Sequence, residues 1–200
     1  EAFRTLRAML SASRPQDHPE DVGAAIMVTG SSPVEGKTTT AINLAASYAL
    51  AGKRVILIEA DFRRPTVSSA LGVTPSVGIG DVLVREVDLA DALVRVKPFG
   101  GSLQLLPVQR PDANLSELLS LPAARRLLDE ARAMADCVII DSPPLTEVAD
   151  TLPVAQIVDD LLLVCRVGRS SLSQLSRLAD LLEQNGIEPR GFVLVGVAAS

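Results

Sequence analysis

The residues best suited to chemistry lie in the segment S-S-P-V-E-G-K-T-T-T, residues 31–40. An apolar run, residues 24–28, comes directly before it, and a helical pattern follows it as far as Ala51. A strand, a Gly-Lys-Thr loop and a helix in this order place backbone N–H groups and the positive end of a helix dipole around a phosphate. In that arrangement Lys37 would reach the β- and γ-phosphates and Thr38 would hold Mg²⁺. The segment therefore predicts a nucleotide-phosphate site.

The loop fits the pattern in which a small residue is followed by four others and then by Gly-Lys-Thr. Ser31 stands in the first position, where glycine is usual. We expect the whole loop to contact the nucleotide through its backbone and side chains. The predicted binding set is Ser32, Pro33, Val34, Glu35, Gly36, Lys37, Thr38 and Thr39.

Carboxylates end two further apolar runs. Glu59 and Asp61 follow the run 55–58, and Asp141 closes the run 137–140. Because the carboxyl ends of parallel strands meet at one edge of a sheet, we expect these acids beside the loop. An acid after four apolar residues suits Mg²⁺, which keeps several waters and uses one or two carboxylates. The other two acids could ligate the metal or accept a proton from an attacking hydroxyl.

These positions define the predicted catalytic and metal sites. The catalytic set is Lys37, Glu59, Asp61 and Asp141, and the metal set is Thr38, Asp61 and Asp141. A simpler alternative is a solvated turn in which the first two acids pair with Arg63 and Arg64. An Asp after a strand is also a common helix cap. The three groups together, in this order, favour the nucleotide site over the separate explanations.

Apolar strands alternate with helical patterns along the chain. This order predicts an α/β fold, a doubly wound and mainly parallel sheet flanked by helices, in one P-loop domain over residues 1–200. The content of 48% apolar and 2% aromatic residues suits a sheet buried on both faces by aliphatic side chains. The predicted strands are 24–28, 54–58, 103–107, 137–141, 161–165 and 191–197. The predicted helices are 1–13, 38–51, 114–121, 122–134 and 173–184, with short helical pieces at 68–71, 80–84 and 89–94.

Composition also limits the class of partner and compartment. A net charge of −5 and few aromatic side chains argue against a nucleic-acid surface. Cys137 and Cys165 lie inside apolar runs without ligand spacing, which predicts buried thiols in a reducing cytosol. There is no apolar run of roughly 18 residues and no signal-peptide pattern. Because the chain starts at Glu1 rather than Met, we expect it to be a piece of a longer protein. His18, in a polar connector, is assigned no role.

Three motifs and the segments around them resemble the bacterial tyrosine kinases (BY-kinases). The motifs are S-S-P-V-E-G-K-T-T, V-I-L-I-E-A-D-F-R-R-P and C-V-I-I-D-S-P-P, which look like Walker A, Walker A′ and Walker B of that family. The N-terminal E-A-F-R-T-L-R is similar to its E-x-x-R-x-x-R oligomerisation motif. The segments L-L-P and N-L-S-E-L-L resemble its L-P-x-G and N-P-x-E-L-L segments. Walker A′ with D-F-R-R-P is the specific part, since many ATPases share the other two motifs.

The resemblance implies a P-loop fold related to the MinD and ParA ATPases, with ATP and Mg²⁺ as cofactors. It implies transfer of the γ-phosphate to a C-terminal tyrosine-rich tail in capsule and exopolysaccharide export. A ring-shaped homo-oligomer would be held partly by Glu1, Arg4 and Arg7. A transmembrane polysaccharide co-polymerase, fused or separate, would activate a cytoplasmic domain at the inner face of the plasma membrane. By position, Glu59 would replace the family's candidate base and Asp61 would be the second Walker A′ acid.

Four features depart from the family pattern. Glu59 stands where Asp is usual, Val34 replaces a loop glycine that could need a positive φ, and Val195 replaces a frequent Asn near the adenine. The chain also carries no tyrosine cluster, so either this piece ends before the tail or this member does not autophosphorylate in the usual way. The three substitutions favour an alternative function, a nucleotide-gated assembly module with little or no kinase activity. A MinD/ParA-type ATPase is disfavoured, because Ser32 occupies the position of that branch's signature lysine.

Overall fold

A seven-stranded sheet forms the centre of the molecule, in the order β3-β4-β2-β5-β1-β6-β7. The computed structural model describes residues 1–12, 23–99 and 101–197. The strands are β1 (Ala24–Gly30), β2 (Val55–Glu59), β3 (Val94–Arg95), β4 (Leu103–Leu106), β5 (Cys137–Asp141), β6 (Asp160–Arg166) and β7 (Gly191–Val195). Every pair of neighbours is parallel except β3 with β4. The predicted doubly wound, mainly parallel sheet is confirmed.

The strand register brings the predicted acids together. Glu59 pairs with Asp141 between β2 and β5, and Val28 pairs with the same aspartate between β1 and β5. Register partners in a parallel sheet project from the same face. The end of β1, where the loop begins, therefore lies next to both acidic strand ends.

Helices cover both faces of the sheet. They are α1 (Ala2–Ala12), α2 (Lys37–Leu50), α3 (Val67–Ala70), α4 (Ile79–Leu83), α5 (Leu89–Ala92), α6 (Leu115–Leu118), α7 (Leu121–Met134), α8 (Leu152–Ala155) and α9 (Leu172–Gln184). Two 3₁₀ turns lie at Lys97–Phe99 and Ala149–Thr151. Helices on both faces explain why the central strands are apolar throughout instead of alternating with polar residues.

Each face of the sheet has its own core. On one face Ile26, Leu57 and Ile139 pack with Leu44 of α2, all fully buried. On the other face Met27, Ile58 and Ile140 pack with Leu127 and Leu128 of α7. Complete burial of an aliphatic side chain of this size contributes roughly 2 kcal/mol. The two cores hold the ends of β1, β2 and β5 in a fixed arrangement.

Several boundaries differ from the sequence prediction. The helix predicted over 114–121 is a single turn, Leu115–Leu118, and the last strand ends at Val195. The edge strand β3 and the short helix α8 were not predicted, because two-residue and four-residue elements carry too little periodicity to be recognised. Gly52 and Gly186 follow α2 and α9 with φ of 83° and 65°, the left-handed conformation in which glycine commonly ends a helix. His18 lies outside the described residues.

The N-terminal helix α1 packs on α2. Leu10 is buried, and Phe3 and Leu6 join the same core. Arg7 donates from Nε to Ser47 Oγ at 3.3 Å, and its guanidinium lies 6.0 Å from the centre of the Tyr48 ring. Tyr48 is fully buried. In the part of the chain that the structure describes, no helix combines the length and the apolar character that crossing a membrane requires.

Candidate nucleotide site

The loop between β1 and α2 has the backbone of a phosphate cradle. Gly36 precedes the first residue of α2 and has φ of 99°, a left-handed conformation that favours glycine. Val34 has φ of 63°, so the position where the family pattern has glycine does require positive φ here. A β-branched residue in this region is strained, by an amount on the order of 1–3 kcal/mol. The loop thus holds its conformation against an intrinsic backbone preference.

Glu35 fixes the loop from its buried side. Its carboxylate is fully buried and accepts hydrogen bonds from the N–H groups of Ser31 and Ser32, both at 2.9 Å. The hydroxyls of Ser31 and Ser170 donate to its other oxygen. Burial raises the pKa of Glu35, but the hydrogen bonds from these serines outweigh it and hold the pKa below its ordinary value. A Cβ on Gly30 would collide with this carboxylate, which explains the glycine at that position.

Lys37 lies over the loop with only 7% of its surface exposed. Its Nζ donates to the Ser32 carbonyl at 2.6 Å. Burial lowers the pKa of Lys37, and nearby Glu35, Asp141 and Asp61 partly offset that effect. A desolvated ammonium group beside the cradle attracts phosphate oxygens more strongly than a solvated one would.

Thr38 and Asp141 meet as the metal prediction requires. Thr38 Oγ1 donates to Asp141 Oδ2 at 2.8 Å. The other carboxylate oxygen, Oδ1, is buried without a hydrogen-bond partner among the described residues. Burial raises the pKa of Asp141 to about 7, and the charges of Asp61 and Glu59 act in the same direction. A buried carboxylate with an unused oxygen beside a threonine hydroxyl suits Mg²⁺, whose charge would favour the ionised form.

A cavity of about 500 Å³ opens over these residues. Asp61 lines it and accepts at Oδ1 from the N–H groups of Arg63 (3.2 Å) and Arg64 (2.9 Å). Thr66 also lines the cavity, and its Oγ1 donates to Thr38 Oγ1 at 3.3 Å. The loop after β2 therefore forms the wall opposite the phosphate cradle.

Glu59 does not line this cavity. It is fully buried, and its carboxylate accepts from Val67 N at 2.7 Å, Ser68 Oγ at 3.0 Å and Val108 N at 3.0 Å. The solvated turn considered as an alternative is wrong for Glu59, whose partners are these donors instead of Arg63 or Arg64. Its role as general base, which came from the family resemblance, stays a prediction.

The predicted site residues divide into two groups. Those that line the cavity are Pro33, Val34, Gly36, Lys37, Thr38, Thr39 and Asp61. Those buried behind it are Ser32, Glu35, Glu59 and Asp141. Sequence reasoning did not assign the further lining residues Arg63, Arg64, Thr66, Pro143, Pro144, Glu147, Val148 and Arg166. The R-R-P and S-P-P runs beside the motifs were the available signal for half of them.

Two residues on the β6–β7 side also touch the loop. Val195 lies next to Gly36. A Cβ added at that glycine would be 3.6 Å from both Val195 methyl groups, an ordinary van der Waals contact. Arg166 donates from Nη1 to the Val34 carbonyl at 3.3 Å. The strained Val34 is thus held from outside by a guanidinium group.

The oligomerisation residues predicted from α1 lie apart from this cavity. Glu1 and Arg4 are exposed and 3.9 Å apart, whereas Arg7 is half-buried against α2. Glu1 and Arg4 are therefore accessible to another molecule.

Comparison with known proteins gives the family. Residues 34–185 match the family described as an AAA domain. The tyrosine-protein kinase YwqD of Bacillus subtilis (strain 168) is 34% identical over 182 residues, which are 91% of this chain and 74% of that protein. The chain belongs to the bacterial tyrosine-protein kinases. The family predicted from the three motifs is therefore confirmed.

Other members of the bacterial tyrosine-protein kinases agree. The tyrosine-protein kinase etk of Escherichia coli (strain K12) is 32% identical over 198 residues, 98% of this chain but 26% of that protein. The chain thus spans about a quarter of that relative. The solved kinase domain of E. coli ETK covers all of this chain and 77% of its own, with a TM-score of 0.86 and 28% identity.

A MinD ATPase shares the P-loop fold at lower similarity. The cell division ATPase MinD of Pyrococcus furiosus has a TM-score of 0.72 and 25% identity, covering 86% of this chain and 71% of its own. The predicted relation to MinD is confirmed at the level of the fold.

Proposed function

We propose that this domain binds Mg·ATP in the cavity and transfers the γ-phosphate to a tyrosine hydroxyl. One observation carries the proposal: the loop residues, Thr38 and Asp61 line one cavity, and Asp141 lies directly behind it, bound to Thr38. Those are the parts that phosphoryl transfer needs, because its catalysis is mainly positioning and charge stabilisation. The family membership of the chain supports the same activity.

In this mechanism the phosphate cradle and Lys37 hold the β- and γ-phosphates. The loop supplies backbone N–H groups at the N-terminus of α2, whose dipole favours negative charge. The ammonium group of Lys37 stabilises the charge that spreads over the equatorial oxygens in the transition state. Its Nζ donates to the Ser32 carbonyl at 2.6 Å, so the side chain lies against the loop itself.

Asp61 is the base that we propose for the acceptor hydroxyl. The backbone N–H groups of Arg63 and Arg64 both donate to Oδ1 of Asp61, and the residue lines the cavity. The tyrosine oxygen forms the new bond to the γ-phosphorus, the bond from that phosphorus to the β–γ bridging oxygen breaks, and ADP leaves. The phenolic proton passes to the Asp61 carboxylate.

Thr38 and Asp141 would hold Mg²⁺. Asp61, which the sequence also predicts as a ligand, is assigned to the base instead, because a carboxylate bound to Mg²⁺ accepts a proton poorly. The ion would neutralise charge on the β- and γ-phosphates. The buried, unused Oδ1 of Asp141 is the feature of this chain that fits it. The contribution of the protein is to keep both ligands in place before the ion arrives.

The family resemblance supplies the wider setting of the proposal. The acceptor would be a tyrosine-rich tail, supplied by a neighbouring subunit of a ring in which Glu1, Arg4 and Arg7 contact the next copy. The activator would be a transmembrane polysaccharide co-polymerase in capsule or exopolysaccharide export. The domain, a single P-loop unit, would then work at the inner face of the plasma membrane.

The test is transfer of labelled γ-phosphate to tyrosine by the full-length natural protein. We expect Lys37→Met to reduce transfer by at least about 100-fold, the typical effect of removing one preorganised transition-state group. Lys97→Met is the matched control, because Lys97 is exposed in the 3₁₀ turn Lys97–Phe99 and does not line the cavity. ATP turnover without any phosphotyrosine would contradict the proposal.

A nucleotide-gated assembly module is the second candidate. The burial of Glu59 favours it, because the acid at the position of the family's candidate base is engaged by three donors. This candidate predicts ATP-dependent assembly in analytical ultracentrifugation with no phosphotyrosine formed. Transfer that depends on Asp61 would rule it out.

A further inference from the structure

Glu59 closes the base of the loop that carries Asp61 into the cavity. The loop leaves β2 at Glu59 and returns to the start of α3 at Val67. The Glu59 carboxylate accepts at Oε1 from the Val67 N–H, so the first and last residues of the loop are joined directly. Four residues inside it line the cavity: Asp61, Arg63, Arg64 and Thr66.

The second carboxylate oxygen ties the loop to the rest of the fold. Oε2 accepts from Ser68 Oγ in α3 and from the N–H of Val108, which follows β4. The loop is also fastened at its middle, because Asp112 N donates to Phe62 O at 3.0 Å. A buried carboxylate with three donors is satisfied and rigid, and removing one partner would leave buried polar groups unpaired.

We propose that Glu59 is a positioning residue that fixes the Asp61–Thr66 loop, and that it takes no proton from the substrate. Its length is part of this role. An aspartate would draw the carboxylate back by one methylene, roughly 1.5 Å, away from donors that now lie at 2.7–3.0 Å. The glutamate that departs from the family pattern is therefore matched to the path of this loop.

The position of the donors separates this role from general base catalysis. A base must reach the proton that it removes, within about 3 Å or through one water. Glu59 is 0% exposed, and its oxygens accept from the backbone N–H groups of Val67 and Val108 and from the Ser68 hydroxyl. Asp61, two residues later, lines the cavity instead.

Limited proteolysis tests the positioning role without any phosphate transfer. Trypsin can cut the Arg63–Arg64 bond in this loop, whereas the Arg64–Pro65 bond is resistant. Cleavage of a folded protein follows local opening. We expect Glu59→Gln and Glu59→Asp each to raise the rate of this cut by roughly tenfold, the equivalent of one lost buried hydrogen bond to a charged group. An unchanged rate in both variants would overturn the inference.

A second experiment measures kcat and the Kd for ADP on the same variants, and only this experiment rests on the proposed kinase function. We expect both variants to lower kcat for tyrosine phosphorylation by roughly tenfold, because Asp61 is displaced, while the Kd for ADP stays within about twofold. A base would behave differently: Glu59→Gln would abolish transfer, Glu59→Asp would retain it, and cleavage would not change. If no variant or wild-type protein transfers phosphate, the kinase proposal fails and the proteolysis result still decides the role of Glu59.

Ser68→Ala weakens the same contacts while the buried charge of Glu59 stays in place. It removes one of the three donors, and Ser68 does not line the cavity. We expect it to raise cleavage and lower kcat by a few-fold, in the same direction as the Glu59 variants. Ser176→Ala is the control, because Ser176 is an exposed helical serine in α9 and does not line the cavity. Equal effects of the two serine variants would contradict the inference.

Discussion

The aspartates at the two ends of strand β5 differ in their hydrogen-bond partners and in the direction of their pKa shifts. At the amino end, Asp136 accepts from the Arg54 N–H at 2.8 Å and from its guanidinium at 2.6 Å. At the carboxyl end, Asp141 is buried with one oxygen bound by Thr38 and the other without a described partner. The hydrogen bond from Arg54 lowers the pKa of Asp136, whereas burial raises that of Asp141 to about 7.

The neighbouring strands repeat this contrast. Asp159, just before β6, accepts from Ala25 N at 2.7 Å at the start of β1 and from Arg132 at 2.9 Å. It resembles Asp136 in binding both a backbone N–H of the next strand and an arginine. At the opposite end of β1 the charge is Lys37, buried and with its pKa lowered. At the amino end both aspartates are paired with arginines, whereas at the carboxyl end Asp141 and Lys37 are buried with shifted pKa values and without any described arginine or carboxylate hydrogen-bonded to them.

The largest expected effect comes from Asp141→Asn. Well below pH 3.8 the carboxyl is protonated in both the folded and the unfolded state. Between the ordinary pKa of 3.8 and the folded value of about 7, the folded protein binds the proton more tightly, so its stability falls as the pH rises. The cost is roughly 1.4 kcal/mol for each pH unit in that window. Asparagine does not ionise and so avoids this cost. In urea denaturation without nucleotide or Mg²⁺, Asp141→Asn should have a higher free energy of unfolding than the wild type at pH 8, and the difference should disappear at pH 4.

Adding Mg·ATP should reverse the order of stability for this variant. The wild-type protein gains stability from the ligand by mass action, and the asparagine variant gains less if Asp141 is the metal ligand that we propose. If Asp141→Asn were destabilised at pH 8 without ligand, the contrast between the two ends of β5 would fail.

Val34→Gly should change stability by an intermediate amount. It tests whether the backbone at the carboxyl end of the sheet is strained. Removing a β-branched side chain from φ of 63° should stabilise the fold by about 0.5–1 kcal/mol, after the larger chain entropy of glycine is subtracted. The freed loop should bind ADP a few-fold more weakly, because it must be ordered on binding. Thermal denaturation and calorimetric titration measure the two quantities.

Arg85→Gly provides the matched control. Arg85 is the second non-glycine residue with positive φ in the described part of the chain, also at 63°, and it lies after α4 and away from the cavity. It should gain stability without any change in ADP affinity. If Val34→Gly lowered the melting temperature, the loop would not be strained.

Asp136→Asn should have the smallest effect, with the opposite sign to Asp141→Asn. Its depressed pKa contributes stability that is fully present above pH 3.8 and is lost as the pH falls through the folded pKa. Because Arg54 is largely exposed, the loss at pH 7 should be about 1 kcal/mol or less. Phosphate transfer should not change. A higher free energy of unfolding for this variant at pH 7 in urea denaturation would show that Asp136 does not stabilise the amino end of the sheet.

Much of the site could be read from the sequence because its signals are local. The spacing of Lys37 and Thr38 after an apolar run predicts a cradle, since the loop geometry depends on adjacent residues. The signal for Asp141, an acid after four apolar residues, is equally local. In the structure Thr38 Oγ1 lies 2.8 Å from Asp141 Oδ2. Alternation of strands and helices determined the fold class for the same reason.

Side-chain direction was decided by the tertiary structure alone. Glu59 and Asp61 are two residues apart at the end of one strand, yet one carboxylate is buried among backbone donors and the other faces the cavity. The donors on Glu59 come from residues up to 49 positions away, and Ser170, which binds Glu35, lies 135 positions from it. No local pattern encodes such contacts. The sequence by itself determined which groups this protein has for chemistry, and packing decided which of them can reach a substrate.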